Sequence, residues 1–309
     1  MGTELRVTVW SADDVRVETA TSAVFREFDR LDAMMSVWKD GSDIVRLNAA
    51  AGEHAVMVST ETREVLRIAR QISEQTDGTF DITFGALSGL WKFDYQDKDE
   101  SVPDRREIQK RLALVNYRDV VVDDTAGTAM LRRKGMRVNL GGIGKGYAVD
   151  RAVEILRASR LDDFMIQAGG DMYVAGNHGD RPWRLGIRDP RGPADRIFAA
   201  LDLKDGTFST SGDYERFFIK NGVRYHHIID LRVGEPARLC RSVTLVTERA
   251  VIADALAKGV FILGPDAGMA LIERTPGVEG VIVSAKNEVS ISSGLRKRLI
   301  LLAPPTDAP

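Results

Sequence analysis

Apolar residues first recur at every second position: Leu5, Val7 and Val9 interleave with Arg6, Thr8 and Trp10, the period of a strand. The period then changes. Val24, Phe28, Leu31 and Met35 follow at helical spacing and predict a long amphipathic helix. A second helix is expected from Ser59, a suitable N-cap, through Val65, Ile68, Ala69 and Ile72, with Asp77-Gly78 as its stop. The stretch 80–105 reads as loop-rich, with Trp91, Phe93 and Tyr95 among charges. Strand-like runs come next at 120–122 and 129–131, then a glycine-rich turn, then a helix carried by Ala148, Val149, Ala152, Val153 and Leu156. After Phe164 the pattern is mainly β, with turns at Gly169-Gly170, Asp189-Pro190 and Asp205-Gly206. Helices are expected at 248–263 and 266–274, and two short β runs at 281–284 and 289–292. Strands and helices do not alternate regularly, which argues against a doubly wound parallel sheet. The expected class is α+β, with mixed, mostly antiparallel sheets and packed helices. It should form one unit over 1–309, without internal boundary, low-complexity linker or fixed repeat.

Composition narrows this picture only slightly. A formal net charge of −2 over 309 residues gives no bulk signal for nucleic acid. There is no apolar run of about 18 residues, so no transmembrane segment is expected. No leader is visible either, because MGTELRVTVW already alternates like a strand. The single cysteine, Cys240, cannot form an intrachain disulfide, which tilts toward a reducing compartment and is compatible with the periplasm.

The candidate chemistry begins at LGGIGKGYAVD, residues 140–150. Four glycines and Lys145 stand between a short β-type run and a helix. Such a turn aims backbone N–H groups and a helix N-terminus at a phosphate, and the lysine adds a positive charge. It is not a Walker loop, since Gly146 rather than Ser or Thr follows the lysine. It is not the dinucleotide fingerprint either, whose third glycine falls on Tyr147 or Val149. The alternative is a structural turn with a solvated lysine.

Four other segments carry candidate groups. FDITFGALSGLW opens with Phe80-Asp81, where small residues admit a planar ring and a carboxylate can accept from it; a helix stop and packed loop is the plainer reading. TSGDYERF, residues 210–217, could hold a phosphate or ribose or be a simple turn. In HHIID, neighbours on a strand face opposite ways, so His226 and His227 cannot share a site. His227 is a candidate base for a hydroxyl nucleophile. Asp254 and Lys258 share a helix face at i and i+4, either as a salt bridge or as a metal or phosphate subsite.

In this order the segments resemble one family, the FAD:protein FMN transferases or ApbE family. The resemblance runs nearly end to end. It rests on Met1-Gly2-Thr3, SVWKDGSDIVRLN, TFDITFGALSGLW, NLGGIGKGYAVD, AGGDMYVAG, STSGDYERF, HHIID and ADALAKGVFILG. It implies a T-fold-like α+β fold without a Rossmann or P-loop core. It also implies FAD as substrate, Mg²⁺ as cofactor, and transfer of FMN to a threonine or serine of an acceptor protein. Met1, Trp38, Thr79, Phe80, Asp81, Asn139, Lys145 and Ile229 would line the FAD site. Gly142, through its carbonyl, and Asp254 would hold the metal, and His227 would be the base. Trp38 stands where tyrosine is frequent, and Asn139 where aspartate is. Leu231 and Val233 replace a proline and a threonine. Lys258 occupies a metal-binding threonine's position. There it would either neutralise Asp254 and weaken Mg²⁺ binding, or act on the pyrophosphate as a built-in charge. Relatives are usually exported, which implies a periplasmic or extracytoplasmic location. A non-catalytic FAD carrier and an FAD pyrophosphatase are the alternative functions.

Overall fold

A computed structural model describes residues 2–93 and 101–308; Met1 and Tyr95 lie outside the described residues. The chain is built on a seven-stranded sheet in which every pairing is antiparallel. Its order is Leu5–Val9, Phe164–Ala168, Asp171–Ala175, Gly206–Gly212, Cys240–Thr247, Glu279–Ser284 and Val289–Ile291.

Both faces of this sheet are buried, and the alternation of side chains separates two cores. Ile166, Tyr173, Leu245 and Ile282 point into one core. Val174, Val246, Val281 and Val283 point into the other. On the first face lie α1 (Asp14–Met35), α5 (Gly144–Ala158) and α6 (Ala250–Leu263); the numbering counts α2 (Asp43–Ala49), α3 (Thr60–Gln75) and α4 (Arg105–Leu112) between them, and α7 (Pro265–Arg274) follows. On the second face a four-stranded sheet supplies Trp183, Leu185, Phe198 and Leu201. Burial on both faces extends to every residue of Cys240–Thr247, including its polar Arg241, Ser242, Thr244 and Thr247.

The periodic segments fold as their spacing predicts. Helix α1 buries Ala20, Val24, Phe28, Leu31 and Met35, and α3 is capped by Ser59, whose hydroxyl accepts from the Thr62 N–H. The α+β class with antiparallel sheets holds, and among the described residues there is no doubly wound sheet.

Several expectations need correction. The loop-rich stretch 80–105 also holds a 3-10 helix, Ile82–Leu87, and ends where an unexpected helix, α4, starts at Arg105. Helix α4 buries only Ile108, so it has no apolar stripe to read. Helix α2 is seven residues long, too short for a period to show. The residues just before the glycine turn are extended but belong to no strand. They are held instead by Asn48, whose side chain both donates to Val138 O at 2.9 Å and accepts from Val138 N at 2.7 Å. HHIID is not one strand: Val223–His226 ends there, and Ile229–Asp230 starts a separate hairpin.

Candidate active site

The glycine turn leads directly into α5. Its neighbour α6 explains one of the glycines. A Cβ on Gly146 would lie 2.3 Å from the Ala250 carbonyl oxygen and 2.8 Å from Asp254 Cβ, so the glycine permits the two helices to touch. That contact, rather than a phosphate, is why no serine or threonine follows Lys145. The two helices also cap one another. Asp150 on α5 accepts from Ala250 N at 2.6 Å, and Asp254 on α6 accepts from Gly146 N at 2.9 Å. Each carboxylate satisfies helix N-terminal donors that would otherwise be unpaired.

Around Asp254 a charge cluster assembles from four elements. The Asp254 side chain is fully buried. Its Oδ1 takes Lys145 Nζ at 3.4 Å and also the Lys258 ammonium, which donates as well to the Asp254 backbone carbonyl at 2.7 Å. Lys145 Nζ lies 3.1 Å from Asp171 Oδ2, and Asp171 Oδ1 accepts from the Ser209 hydroxyl. Asp171 and Ser209 are cross-strand partners in the central sheet. Burial alone would lower the Lys145 pKa, but Asp171 and Asp254 outweigh it and raise the pKa above its ordinary value. Burial would likewise raise that of Asp254, yet Lys145 and Lys258 hold it well below the usual carboxylate range. The exposures set the polarity of the site. Side-chain exposure is 21% for Lys145 and 19% for Lys258, against 4% for Asp171 and 0% for Asp254. The lysine side chains are therefore partly exposed while the carboxylates that hold their ammonium groups are buried, beside the N-terminus of α5.

The two histidines of HHIID have different surroundings, with His226 at the end of its strand and His227 just beyond it. His226 is buried, with Nε2 2.7 Å from Ala237 O and Nδ1 accepting from Ile228 N at 3.3 Å. Both ring nitrogens are satisfied, and burial lowers its pKa to about 4. It is a structural, neutral histidine. His227 differs, because its Nδ1 is buried with no hydrogen-bond partner among the described residues. Its backbone N–H donates to Arg216 O at 3.1 Å, which places it beside the segment 210–217. Burial, then the nearby His226 and Lys258, lower its pKa to about 3, so the ring is neutral at physiological pH.

The other expected site residues are distributed as follows. The Phe80 ring borders the glycine turn, 3.4 Å from where a Cβ on Gly142 would stand, and Lys258 Cδ is 3.6 Å from that point. Asn139 Oδ1 accepts from Gly141 N at 2.8 Å and so shapes the turn. Trp38 is 88% exposed and lines a groove of about 460 Å³ with Val37, Asn48 and residues 135–137, the segment that leads into the turn. Three side chains are occupied inside the protein. Thr79 donates to Thr76 O and Gly259 O. Both Asp81 oxygens are used, Oδ1 by the N–H and hydroxyl of Thr83 and Oδ2 by Tyr117 N. Ile229 packs on the aromatic cluster of Trp91, Phe93, Phe218 and Tyr225. Gly85 does not make room for a planar ring; a Cβ there would lie 2.6 Å from Arg137 O. In the segment 210–217, Asp213 is held in a two-pronged pair with Arg191 at 2.7 Å. The Asp213 carboxylate is therefore committed within the protein.

A second cavity of about 490 Å³ lies elsewhere, and five carboxylates and three arginines line it. Its acidic excess disfavours a phosphate ligand.

Asp171 and Ser209 were not among the sequence candidates. The available signal was a carboxylate in an otherwise apolar strand, which is rare without a buried partner.

The comparisons agree in extent. The ApbE family model matches residues 1–282. The chain is 33% identical to an FAD:protein FMN transferase of Treponema pallidum, over 98% of this chain and 87% of that one. It is 30% identical to one of Klebsiella pneumoniae, over 96% and 91%. Among solved structures, the ApbE protein of Thermotoga maritima superposes with a TM-score of 0.87 at 35% identity, and the flavin transferase ApbE of Vibrio cholerae with 0.83 at 26%, each over 96% of both chains. With the family model spanning most of its length and these folds superposing on its own, the chain belongs to the ApbE family.

Proposed function

We propose that this chain is an FAD:protein FMN transferase: it takes FAD, breaks the diphosphate, attaches FMN to a threonine or serine hydroxyl of an acceptor protein, and releases AMP. One observation carries the reading. Two partly exposed lysines, Lys145 and Lys258, hold their ammonium groups on buried carboxylates at the N-terminus of α5, with the His227 ring, whose Nδ1 has no partner among the described residues, nearby. The relatives named for this activity match nearly the whole chain, which supports it further.

The chemistry follows from these groups. The acceptor oxygen attacks the phosphorus on the FMN side. The bond from that phosphorus to the bridging oxygen breaks, and the oxygen leaves with its electron pair as part of AMP. The hydroxyl proton passes to the neutral His227 ring, whose basicity rises once the negative diphosphate offsets the field of Lys258. Lys145 and the helix N-terminus stabilise the charge growing on the phosphate oxygens. The exposed Trp38 and its groove are suited to stacking the flavin ring.

Mg²⁺, implied by the resemblance, does not fit the residues present. Asp254 would be its carboxylate ligand, but Oδ1 carries two ammonium groups and Oδ2 a backbone N–H. Among the described residues, no group of three or more His, Cys, Asp or Glu side chains could hold a metal. Our reading includes the extracytoplasmic location that the resemblance implies, which cell fractionation tests. No helix among the described residues is long and apolar enough to cross a membrane.

The test is to incubate the protein with FAD and a candidate acceptor, then follow flavin fluorescence on a denaturing gel and AMP in solution. We expect fluorescence on the acceptor together with AMP release. Free FMN and AMP at the same rate without acceptor indicates a pyrophosphatase, and FAD retained uncleaved indicates a carrier. Either result overturns the proposal.

A further inference from the structure

The implied metal position and the Lys258 ammonium compete for the same corner of the site. On α6 the i,i+4 spacing places that ammonium on both the carboxylate and the carbonyl of Asp254. The lysine stem runs past Gly142, whose carbonyl would be the other protein oxygen for a metal. Where the resemblance expects a threonine hydroxyl, the chain supplies a cation instead.

The energetic comparison favours the lysine. Mg²⁺ demands near-octahedral oxygen ligation at about 2.0–2.1 Å. To reach Asp254 Oδ1 it would have to displace an ammonium from a fully buried carboxylate, with Lys145 Nζ still 3.4 Å from that oxygen. Two unit charges about 4 Å apart repel by about 4 kcal/mol at an effective dielectric constant of about 20, and a dication doubles the term against each lysine. Lys258 meets about half that cost against Lys145, because it brings one charge rather than two, and it keeps part of its side chain exposed.

We infer that Lys258 is a catalytic cation built into the chain in place of the metal, so that this protein binds and cleaves the FAD diphosphate without a divalent ion. The inference rests on the transferase reading above, and it assigns the second ligand of the diphosphate to an amine. Lys258 forms and breaks no covalent bond in the transfer. It neutralises the diphosphate in the ground state and the departing AMP phosphate as the bridge opens.

The experiment has two arms on the unmodified protein and one on a variant. After EDTA treatment, Mn²⁺ is titrated into the protein without FAD and free Mn²⁺ is read by electron paramagnetic resonance; we expect no saturable binding. FAD affinity is then measured by flavin fluorescence in EDTA and in Mg²⁺, and the two values should agree within about twofold. Lys258→Thr should lose about tenfold in EDTA and recover it with Mg²⁺. Stoichiometric Mn²⁺ binding by the unmodified protein, or FAD affinity that collapses in EDTA, overturns the inference and leaves the flavin reading standing. No FAD binding in either medium overturns that reading and the inference with it. The first two arms decide the matter even if the variant fails to fold.

Discussion

Replacing His227 with alanine should slow FMN transfer by about 10²–10⁴-fold, the usual worth of a positioned general base. FAD affinity should stay within about twofold. The contrast with His226 supplies the argument. Both rings are neutral, but His226 uses both nitrogens to hold its hairpin, whereas His227 leaves a buried nitrogen without a partner. Buried polar atoms in folded proteins are rarely left unpaired, and such an atom needs an explanation outside packing. The chain bears that cost at a ring within the electrostatic reach of Lys258, where an incoming hydroxyl would need a proton acceptor. Because Nδ1 makes no native hydrogen bond, the substitution should change stability far less than His226→Ala. The checks are the rate of covalent flavin attachment, the FAD dissociation constant and the urea midpoint, all on one preparation. An unchanged transfer rate would refute the role of His227.

Lys145→Met should have two separable effects. It leaves Asp171 buried with only the Ser209 hydroxyl, and Asp254 with one ammonium fewer. Removing one partner of a buried pair costs about 3–5 kcal/mol, since the remaining charge is left uncompensated. FAD affinity should fall too, by at least about tenfold, because one of the two cations of the cluster is lost. Adding Asp171→Asn to Lys145→Met separates the two. The second change removes the stranded charge while keeping a hydrogen-bonding side chain, so most of the stability should return and the FAD affinity should not. Chemical denaturation and flavin titration of the three proteins measure this. If the double variant recovers both properties, Lys145 is a structural counter-ion only.

How much was legible in the sequence depended on whether a residue's partners were local. The helices of Val24, Phe28, Leu31 and Met35 and of Val65, Ile68, Ala69 and Ile72 declared themselves, because one apolar face suffices to define them. The Asp254–Lys258 pair was readable for the same reason, as an i,i+4 relation within one helix. Helix α4 was not, with Ile108 as its single buried residue, although its Asp104 cap was there to be read. In the site, the missing part is long-range. Lys145 meets Asp171 and Asp254 only after the sheet and two helices have assembled. Asp81 was singled out as a flavin contact, yet its carboxylate closes a turn onto Tyr117 N, which depends on the packing of residues 36 positions apart. Gly85 and Gly146 are close-approach glycines whose reasons lie in other segments, at Arg137 and Ala250. Composition and spacing find the residue types, but which atom each side chain is already holding is a property of the fold.

The central claim is that the diphosphate of FAD lies over the turn at 141–145, and a crystal structure of the FAD complex tests it most directly. The account predicts phosphate oxygens within hydrogen-bonding distance of both Lys145 Nζ and Lys258 Nζ, the flavin in the Trp38 groove, and no metal ion between Asp254 and the phosphates. FAD bound in the acidic cavity beside Asp150 and Arg157, or phosphates out of reach of both lysines, would contradict it.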